Sequence, residues 1–473
     1  MSQAQTRAVQ ELLRIAPVID DLGARFAEAG EEIALVGGPV RDAMLGRLHN
    51  DLDFTTSARP DVTERLVKGW ADAVWDIGRD FGTIGCRRGD YQIEITTYRS
   101  ERYDASSRKP TVDYGDSLAG DLGRRDFTVN AMAISLPGRA FEDPYGGIVD
   151  LAHQVLRTPG RPEDSFDDDP LRMMRAARFA AQLGFTVAPE VRQAMTDMAG
   201  RIGIVSAERV RDELVKLICS PRPRVGLTLL VETGLAEHVL PELPALALER
   251  DEHHRHKDVY EHTLTVLEQT IDLEDRLPGG GPDLTARLAA LMHDVGKPRT
   301  RKFQPDGTVT FHHHDVVGAK QTKKRMQALR FSSDETSAVA RLVELHLRFH
   351  GYGEGQWTDS AVRRYVRDAG DLLPWLHVLT RADCTTRNRR KADRLRRSYD
   401  ELELRIERLS EEEELASIRP DLDGNQIMEI LGIPAGPQVG TAYRHLLEVR
   451  LDHGPMTYEQ ARDALLQWAA EQA

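Results

Sequence analysis

The chain has little cysteine, no long apolar run and no repeated or low-complexity tract, and each lack closes off a class of protein. Its three cysteines, Cys86, Cys219 and Cys384, are too far apart for a disulfide framework or a thiolate metal site. They read as packing residues. No uninterrupted apolar stretch is long enough to span a bilayer. Near the start, Glu11, Asp20 and Asp21 interrupt the apolar positions, which suits an amphipathic helix and not a signal peptide, so a cytoplasmic protein is expected. Positive charge is also short: 63 Lys and Arg stand against 76 Asp and Glu, a formal net charge of -13. Such a chain does not coat nucleic acid indiscriminately, although a local basic groove stays open to it. With 473 residues there is room for roughly two to four domains with substantial cores.

What is present begins with Leu35 to Phe54, LVGGPVRDAMLGRLHNDLDF. Strand side chains alternate between faces, so Asp51 and Asp53 share one face while Leu52 and Phe54 turn into a core. Two adjacent carboxylates repel, and a divalent cation relieves that repulsion; oxygen ligands with positions left for phosphate suit Mg2+. Gly37 and Gly38 let a backbone approach phosphate closely, and Arg41, one helical turn on, has a fork suited to it. A bare Asp-x-Asp is common on surfaces; the glycines, arginine and aspartates together are far more specific.

Downstream, Tyr91 to Tyr98, YQIEITTY, alternates as a strand with Ile93 and Ile95 inward. Glu94, on the other face, is either a third acid beside the aspartate pair or an exposed sheet glutamate. In Gly123 to Ala133, GRRDFTVNAMA, Arg125, Asp126 and Asn130 lie close enough in sequence to hold a triphosphate and a ribose, Arg125 being the favoured phosphate ligand. These strands and helices alternate in a βαβ-like way through Ile134. After the turn DPYGG at Asp143 to Gly147 the pattern is helical almost to the end, and a boundary is expected near Asp150. Asp169 before Pro170 suits a helix start. Asp169, Arg172, Arg175 and Arg178 then form a curving stripe, because each step of three falls back about 60° on a helix. Leu171, Met174 and Phe179 are left for a core. Three arginines so ordered need anionic company.

At this point the chain resembles the class II tRNA nucleotidyltransferase and poly(A) polymerase family, which adds nucleotides to RNA 3′ ends without a nucleic-acid template. Five motifs in order carry the likeness: VGGPVRD with DLDF, RRDFTVNAMA, DPYGG, DDPLRMMRAARF, and ERVRDELVKL at Glu208 to Leu217. The resemblance implies catalytic Mg2+ on Asp51 and Asp53. It implies contacts to the incoming nucleotide from Gly38, Arg41 and Arg125, base reading by Asp169 and Arg172, and further nucleotide contacts from Arg175 and Arg178. The family usually has Glu where this chain has Asp168.

A second constellation follows Pro241. His262, His293 with Asp294, His314, His346 and Asp383 occur in an order that resembles the HD-domain metal phosphohydrolases, with Lys297 just beyond the His-Asp pair. Imidazole and carboxylate ligands suit a divalent transition metal or magnesium, which activates water against phosphate esters. His314 is preferred over His312 and His313 because Asp315 to Ala319 continue the pattern. The run Arg381, Arg387, Arg389, Arg390, Lys391, Arg394, Arg396 and Arg397, followed by acids at 411–414, is either a solvated helix with internal charge pairing or an RNA contact.

The expected fold class is α+β: a small nucleotidyltransferase β-sheet head at 1–150, a helical neck for nucleobase and RNA binding at 151–250, an all-α HD domain at 251–400 and a helical tail at 401–473. The expected function is addition of CCA to tRNA 3′ ends from CTP and ATP, with phosphohydrolase activity on RNA ends from the HD domain. A poly(A) polymerase or A-adding enzyme is the alternative within the superfamily. An HD phosphohydrolase with an RNA-binding N-terminal region is the alternative outside it.

Overall fold

In the computed structural model, which describes residues 3–78, 82–102, 111–114, 117–247, 258–305, 309–351, 357–385, 389–413 and 419–472, the first apolar positions sort onto one face of a helix, Gln3–Glu28. Ile15, Ile19, Leu22 and Phe26 recur at steps of three and four and are fully buried, the spacing that lays one helical stripe on a core. Gly23 marks the closest approach to the sheet beneath, since a Cβ there would lie 2.7 Å from the Cβ of Leu136. The chain divides into two units, Met1–Pro241 and Glu242–Ala473; the boundary expected at 250 falls outside the described residues.

The sheet of the first unit contains β1 (Ile33–Val36), β2 (Asp51–Thr56), β3 (Ala73–Gly78), β4 (Thr83–Arg88) and β5 (Tyr91–Thr97). After a separate ribbon of β6 (Arg99–Arg102) and β7 (Thr111–Tyr114), β8 (Ala133–Leu136) and β9 (Ala140–Glu142) complete it in the order β3-β4-β5-β2-β1-β8-β9. Within this sheet, among the described residues, only β2 and β5 pair in parallel. The seven-residue helix Gly38–Met44 returns the chain antiparallel from β1 to β2, so the sheet is mixed and the βαβ-like alternation yields one parallel pair. All four β1 residues are buried because both faces are covered: the long helix lies on one, and Leu122 and Ala131 pack with Ala34 and Val36 on the other. In β2, Leu52 and Phe54 are buried while Asp51 and Asp53 stay exposed, as strand alternation requires.

The remainder of the first unit is helical apart from β10 (Val155–Leu156) paired with β11 (Thr186–Val187). The arginine-bearing helix runs Leu171–Leu183, beginning one residue after Pro170, and stops at Gly184, whose φ of 75° is a left-handed conformation suited to glycine. Helix Pro223–Glu232 packs against it at Gly226, where a Cβ would meet the Ala177 carbonyl oxygen at 2.6 Å.

The second unit is helical, with a short ribbon of β12 (Lys302–Phe303) and β13 (Val309–Thr310) added to the expected helices. In the tail, helices Gly424–Leu431, Pro437–His453 and Tyr458–Gln472 close around Leu422, Ile427, Leu446 and Leu465. Within the basic run, Arg381, on helix Leu373–Ala382, pairs with Asp400 and Glu403 of helix Arg389–Glu413, and within the latter Arg396 lies 4.0 Å from Asp393. Arg387 and Glu414 lie outside the described residues. Among the described residues, no helix is long and apolar enough to cross a membrane.

The Gly226 contact sets the seat of the arginine helix. Gly226→Ala is expected to cost ~1–3 kcal/mol by overpacking, read as a drop in thermal midpoint of about 2–4 °C per kcal/mol.

Candidate nucleotide site and metal centre

Parallel pairing of β2 with β5 sets Asp53 directly beside Glu94, and both are exposed on the same face as Asp51. Three carboxylates thus crowd one end of the sheet. The Asp53 carboxyl is raised to about 6, by the protein packed around it, by Glu94 and by Asp51, against the pull of Arg125 and Arg41. Because Asp53 keeps solvent-exposed surface, the crowding of like charges is the sturdier cause. A cation bound there removes that repulsion, and the all-oxygen donor set fits a hard divalent metal.

Arg41 and Arg125 are brought to this cluster by the Gly-Gly turn. Gly37 holds φ at 72°, and a Cβ on it would lie 2.8 Å from Arg125 Nη1, so glycine meets both a conformational and a steric demand. Gly38 begins the short helix that carries Arg41. Arg41 is buried, donates through Nη1 to Asn130 Oδ1 at 2.6 Å and grips Asp42 with Nε and Nη2. Arg125 reaches Asp121 Oδ2 at 3.2 Å, and Arg124 takes the other oxygen at 2.9 Å.

Behind these groups lies Asp126, 6% exposed. It accepts from the Phe127 backbone at 2.8 Å, from Asn130 Nδ2 at 2.9 Å and from Arg175 Nε at 2.7 Å. Burial alone would raise its carboxyl; Arg175 and the Asn130 hydrogen bond overcome that and hold it well below the usual range. Arg175 also approaches Glu213, at 3.9 Å, and Arg178 binds Glu213 Oε2 at 2.6 Å and Gln182 at 3.0 Å. Phe179 lies under the set, its ring centroid 3.9 Å from Arg178 Cζ, 5.2 Å from Arg41 Cζ and 5.6 Å from Arg175 Cζ. Arg41, Asn130, Asp126, Arg175, Glu213 and Arg178 therefore form one continuous network from the Gly-Gly turn to the arginine helix. The anionic company of Arg175 and Arg178 is the protein's own.

Asp169 and Arg172 stand at the other end of the stripe. Asp169 Oδ1 accepts from the Leu171 backbone at 3.1 Å, capping the helix, and Oδ2 accepts from Arg209 at 2.9 Å. Arg172 donates to Ser165 Oγ at 2.9 Å and to the Arg124 carbonyl, which ties it to the head and leaves its Nε outside those bonds. Arg209, Glu213, Asp121 and the ring of Phe179 are the residues that sequence reasoning passed over. Arg209 and Glu213 lie within ERVRDELVKL, and an Arg and a Glu four apart on one helical face were the available signal.

In the second unit, all six residues of the other constellation converge. His262, His293 and Asp383 form one group and Asp294, His314 and His346 another, the ligand atoms within each lying within 4.8 Å of one another. Asp294 faces both: Oδ2 is 3.2 Å from His293 Nε2 and 3.5 Å from His262 Nε2, and Oδ1 is 3.3 Å from His314 Nε2. His262 Nε2 lies 3.0 Å from Asp383. Three rings are oriented alike, Nδ1 of His293, His314 and His346 meeting the carbonyls of Ala290, Phe311 and Val343 at 2.7, 2.7 and 2.6 Å. A carbonyl only accepts, so each Nδ1 carries a proton and each Nε2 is turned inward. Nε2 of His346 is buried without a hydrogen-bond partner. Burial, then His293, lower His346 to about 4, so this ring stays neutral. On His293 burial is outweighed by Asp294 and Asp383, which raise it, while His293 and Lys297 overcome burial and hold Asp294 well below the carboxylate range. Ring nitrogens and carboxylates converging in this way fit divalent cations. Lys297 binds Asp294 Oδ2 at 2.6 Å; His312 and His313 are exposed.

Residues 33–157 match the family model of the poly A polymerase head domain, 184–246 that of the probable RNA and SrmB-binding site of polymerase A, and 259–388 that of the HD domain. The chain is 36% identical over 451 residues to the A-adding tRNA nucleotidyltransferase of Deinococcus radiodurans, covering 93% of this chain and 96% of that one. It is 34% identical over 444 residues to the CC-adding tRNA nucleotidyltransferase of Thermus thermophilus, covering 92% and 93%. The solved structure of the Bacillus stearothermophilus CCA-adding enzyme in complex with CTP matches with a TM-score of 0.65 at 24% identity, over 98% of each chain, a likeness of fold.

The buried Arg178 and Glu213 pair yields a direct expectation for stability. Glu213→Ala strands a buried guanidinium and should cost ~3–5 kcal/mol, whereas replacing both residues by leucine should be near neutral. Urea unfolding of the two variants measures the contrast.

Proposed function

The chain belongs to the tRNA nucleotidyltransferases, and from that footing we propose that it completes tRNA 3′ ends with CCA, taking nucleotides from CTP and ATP. The reading is carried by the network of Arg41, Asn130, Asp126 and Arg175, which joins the Gly-Gly turn, whose Arg41 acts electrostatically on Asp53, to the helix that carries Arg172 and starts just after Asp169. Transfer and base choice thereby share one rigid frame.

Asp51 and Asp53, with Glu94 beside them, would hold Mg2+, which when bound polarises the reacting phosphate and offsets the developing charge. Gly38, Arg41 and Arg125 receive the triphosphate on the Gly-Gly turn. Arg175, Arg178, Asp126 and Asn130 hold that frame in place, while the ribose lies against Asn130. The tRNA 3′-oxygen forms a bond to the α-phosphorus as the bond to the β-phosphate oxygen breaks; pyrophosphate leaves with the electron pair, and the hydroxyl proton passes to solvent. Asp169 accepts from the exocyclic amino group of cytosine or adenine, and Arg172 donates to the adjacent ring nitrogen. Uracil and guanine present a carbonyl and a ring N–H at those places, so both contacts are lost. Asp168, the shorter acid ahead of Asp169, leaves those two contacts untouched.

Restriction to A alone is the second reading, favoured by the near full-length relative that adds A. It is separated by incubating the protein with tRNAs lacking all three terminal nucleotides, lacking the last one, or complete, with CTP and ATP singly and together. Addition of C and then A to the shortest tRNA is expected; A-only products on every substrate would overturn CCA addition. Asp51→Ala and Asp53→Ala each remove several kcal/mol of transition-state stabilisation, roughly a thousandfold in rate or more, with the circular dichroism spectrum retained. Retained addition by the folded double variant would refute the acid-pair assignment.

The second unit supports phosphoester hydrolysis. His262, His293 and Asp383 would hold one divalent transition metal ion, and Asp294, His314 and His346 a second. The water oxygen bonds to phosphorus, the P–O ester bond breaks, and the leaving RNA hydroxyl takes up a proton. Metal-supplemented protein is expected to release phosphate from RNA ends and small phosphoesters. In the same protein stripped and reloaded, His346→Ala should lower bound metal by about one equivalent, measured by elemental analysis. Full metal content in that variant would remove His346 from the ligand set.

A further inference from the structure

Charge is unevenly spread in the second unit. Residues 297–330 hold nine lysines and arginines against two aspartates, in a chain whose net charge is -13. The segment starts three residues after Asp294 and includes His314. The stretch between Gly296 and His314 is clamped at both ends at the metal cluster: a Cβ on Gly296 would lie 2.0 Å from the His314 carbonyl oxygen, so the backbones that carry Asp294 and His314 touch.

Three features of the segment point the same way. On the ribbon, Phe303 is 64% exposed, with the Arg301 guanidinium 4.7 Å from its ring centroid; Arg299 and Lys302 beside it are exposed. On helix His314–Ala328, exposed Val316, Lys320, Lys323, Lys324 and Gln327 fall at helical steps of four, three, one and three, a single stripe running away from His314. At the far end a cavity is lined by Lys323, Arg330, Ser333 and Thr336, among others, and Thr336, 2% exposed, has its hydroxyl buried without a hydrogen-bond partner. Arg325 is excluded from this surface by its ion pair with Glu242 at 2.8 Å.

We propose that the ribbon β12–β13 and the lysine stripe of helix His314–Ala328 form a single-stranded RNA track that leads a 3′-terminal phosphate into the His-Asp cluster, with Phe303 as the platform for a base. The inference rests on the hydrolytic reading of that cluster and names its substrate class, an RNA end. A line of cations matches a phosphate backbone, and an exposed ring with an arginine against it offers a sequence-tolerant stacking surface. An acidic peptide would use the cations and leave the Phe303 ring without a partner.

The test uses the full-length protein, Phe303→Ala and the pair Lys320→Glu with Lys324→Glu, each shown to be folded by its nucleotide addition to tRNA. A single-stranded RNA oligonucleotide with a 3′-phosphate and a 4-thiouridine near its end is crosslinked to metal-free protein, and the adducts are mapped by mass spectrometry. On metal-loaded protein, the KM for phosphate release from that oligonucleotide is divided by the KM for p-nitrophenyl phosphate on the same variant. Adducts between 299 and 324 are expected, with the KM ratio rising about tenfold in each variant, the scale of one lost stack or a few lost phosphate contacts. Unchanged ratios with no adduct in that segment overturn the track, as does displacement of the oligonucleotide adducts from it by an acidic peptide but not by RNA. Adducts in the segment without hydrolysis of either substrate would leave the track standing and refute the hydrolytic reading alone.

Discussion

A carboxylate buried in protein persists as an anion only where donors and cations surround it, and the first unit is built around one such group, Asp126. Its partners arrive from three places: Phe127 from its own turn, Asn130 from one turn on, and Arg175 from a helix nearly fifty residues later. Each partner is then committed elsewhere. Asn130 receives Arg41, and Arg175 faces Glu213, which is gripped in turn by Arg178. Most members have more than one partner, so the geometry of the nucleotide site is over-determined. A template-independent transferase needs that stiffness, because the protein must supply the hydrogen-bonding edge that a template base otherwise presents.

Opposite solutions to charge burial operate in the two units. In the first, buried acids and arginines neutralise each other, and the carboxylates of Asp51, Asp53 and Glu94 crowd together at the surface. In the second, the acids are met by imidazoles whose Nε2 atoms are turned inward, because the outer nitrogens donate to carbonyls three residues upstream in three of the four rings. The first arrangement leaves an open, all-oxygen site suited to a metal shared with a triphosphate; the second makes a buried nitrogen and oxygen site suited to a resident ion.

The arginine stripe shows how a sequence pattern can be right about need and silent about partner. Spacing indicated that Arg175 and Arg178 require anions, and the resemblance assigned them to the nucleotide. In the fold their first partners are Asp126 and Glu213, so their effect on the nucleotide passes through the frame that holds Arg41 and the helix. Phe179, a core residue by its spacing, is also the flat surface on which three guanidinium groups are arrayed.

Several features were determined by the sequence alone. Period-two alternation put Asp51 and Asp53 on one exposed face and Leu52 and Phe54 inside; the glycines at 37 and 38 announced a close approach; and the order of histidines and aspartates after Pro241 announced a second site. The first two are local properties, fixed by backbone geometry within a few residues; the third was legible through the resemblance that the order of those residues carries. Tertiary structure decided what depends on pairing between distant segments. It set Glu94 beside Asp53 through a parallel strand pairing that no local pattern specifies, joined Asp126 to Arg175 and Asp169 to Arg209, and folded six ligands from five separate segments into two abutting groups. The physical reason is that strand pairing and the partners of buried charges join segments far apart in sequence, so they are chosen by the packing of the whole unit.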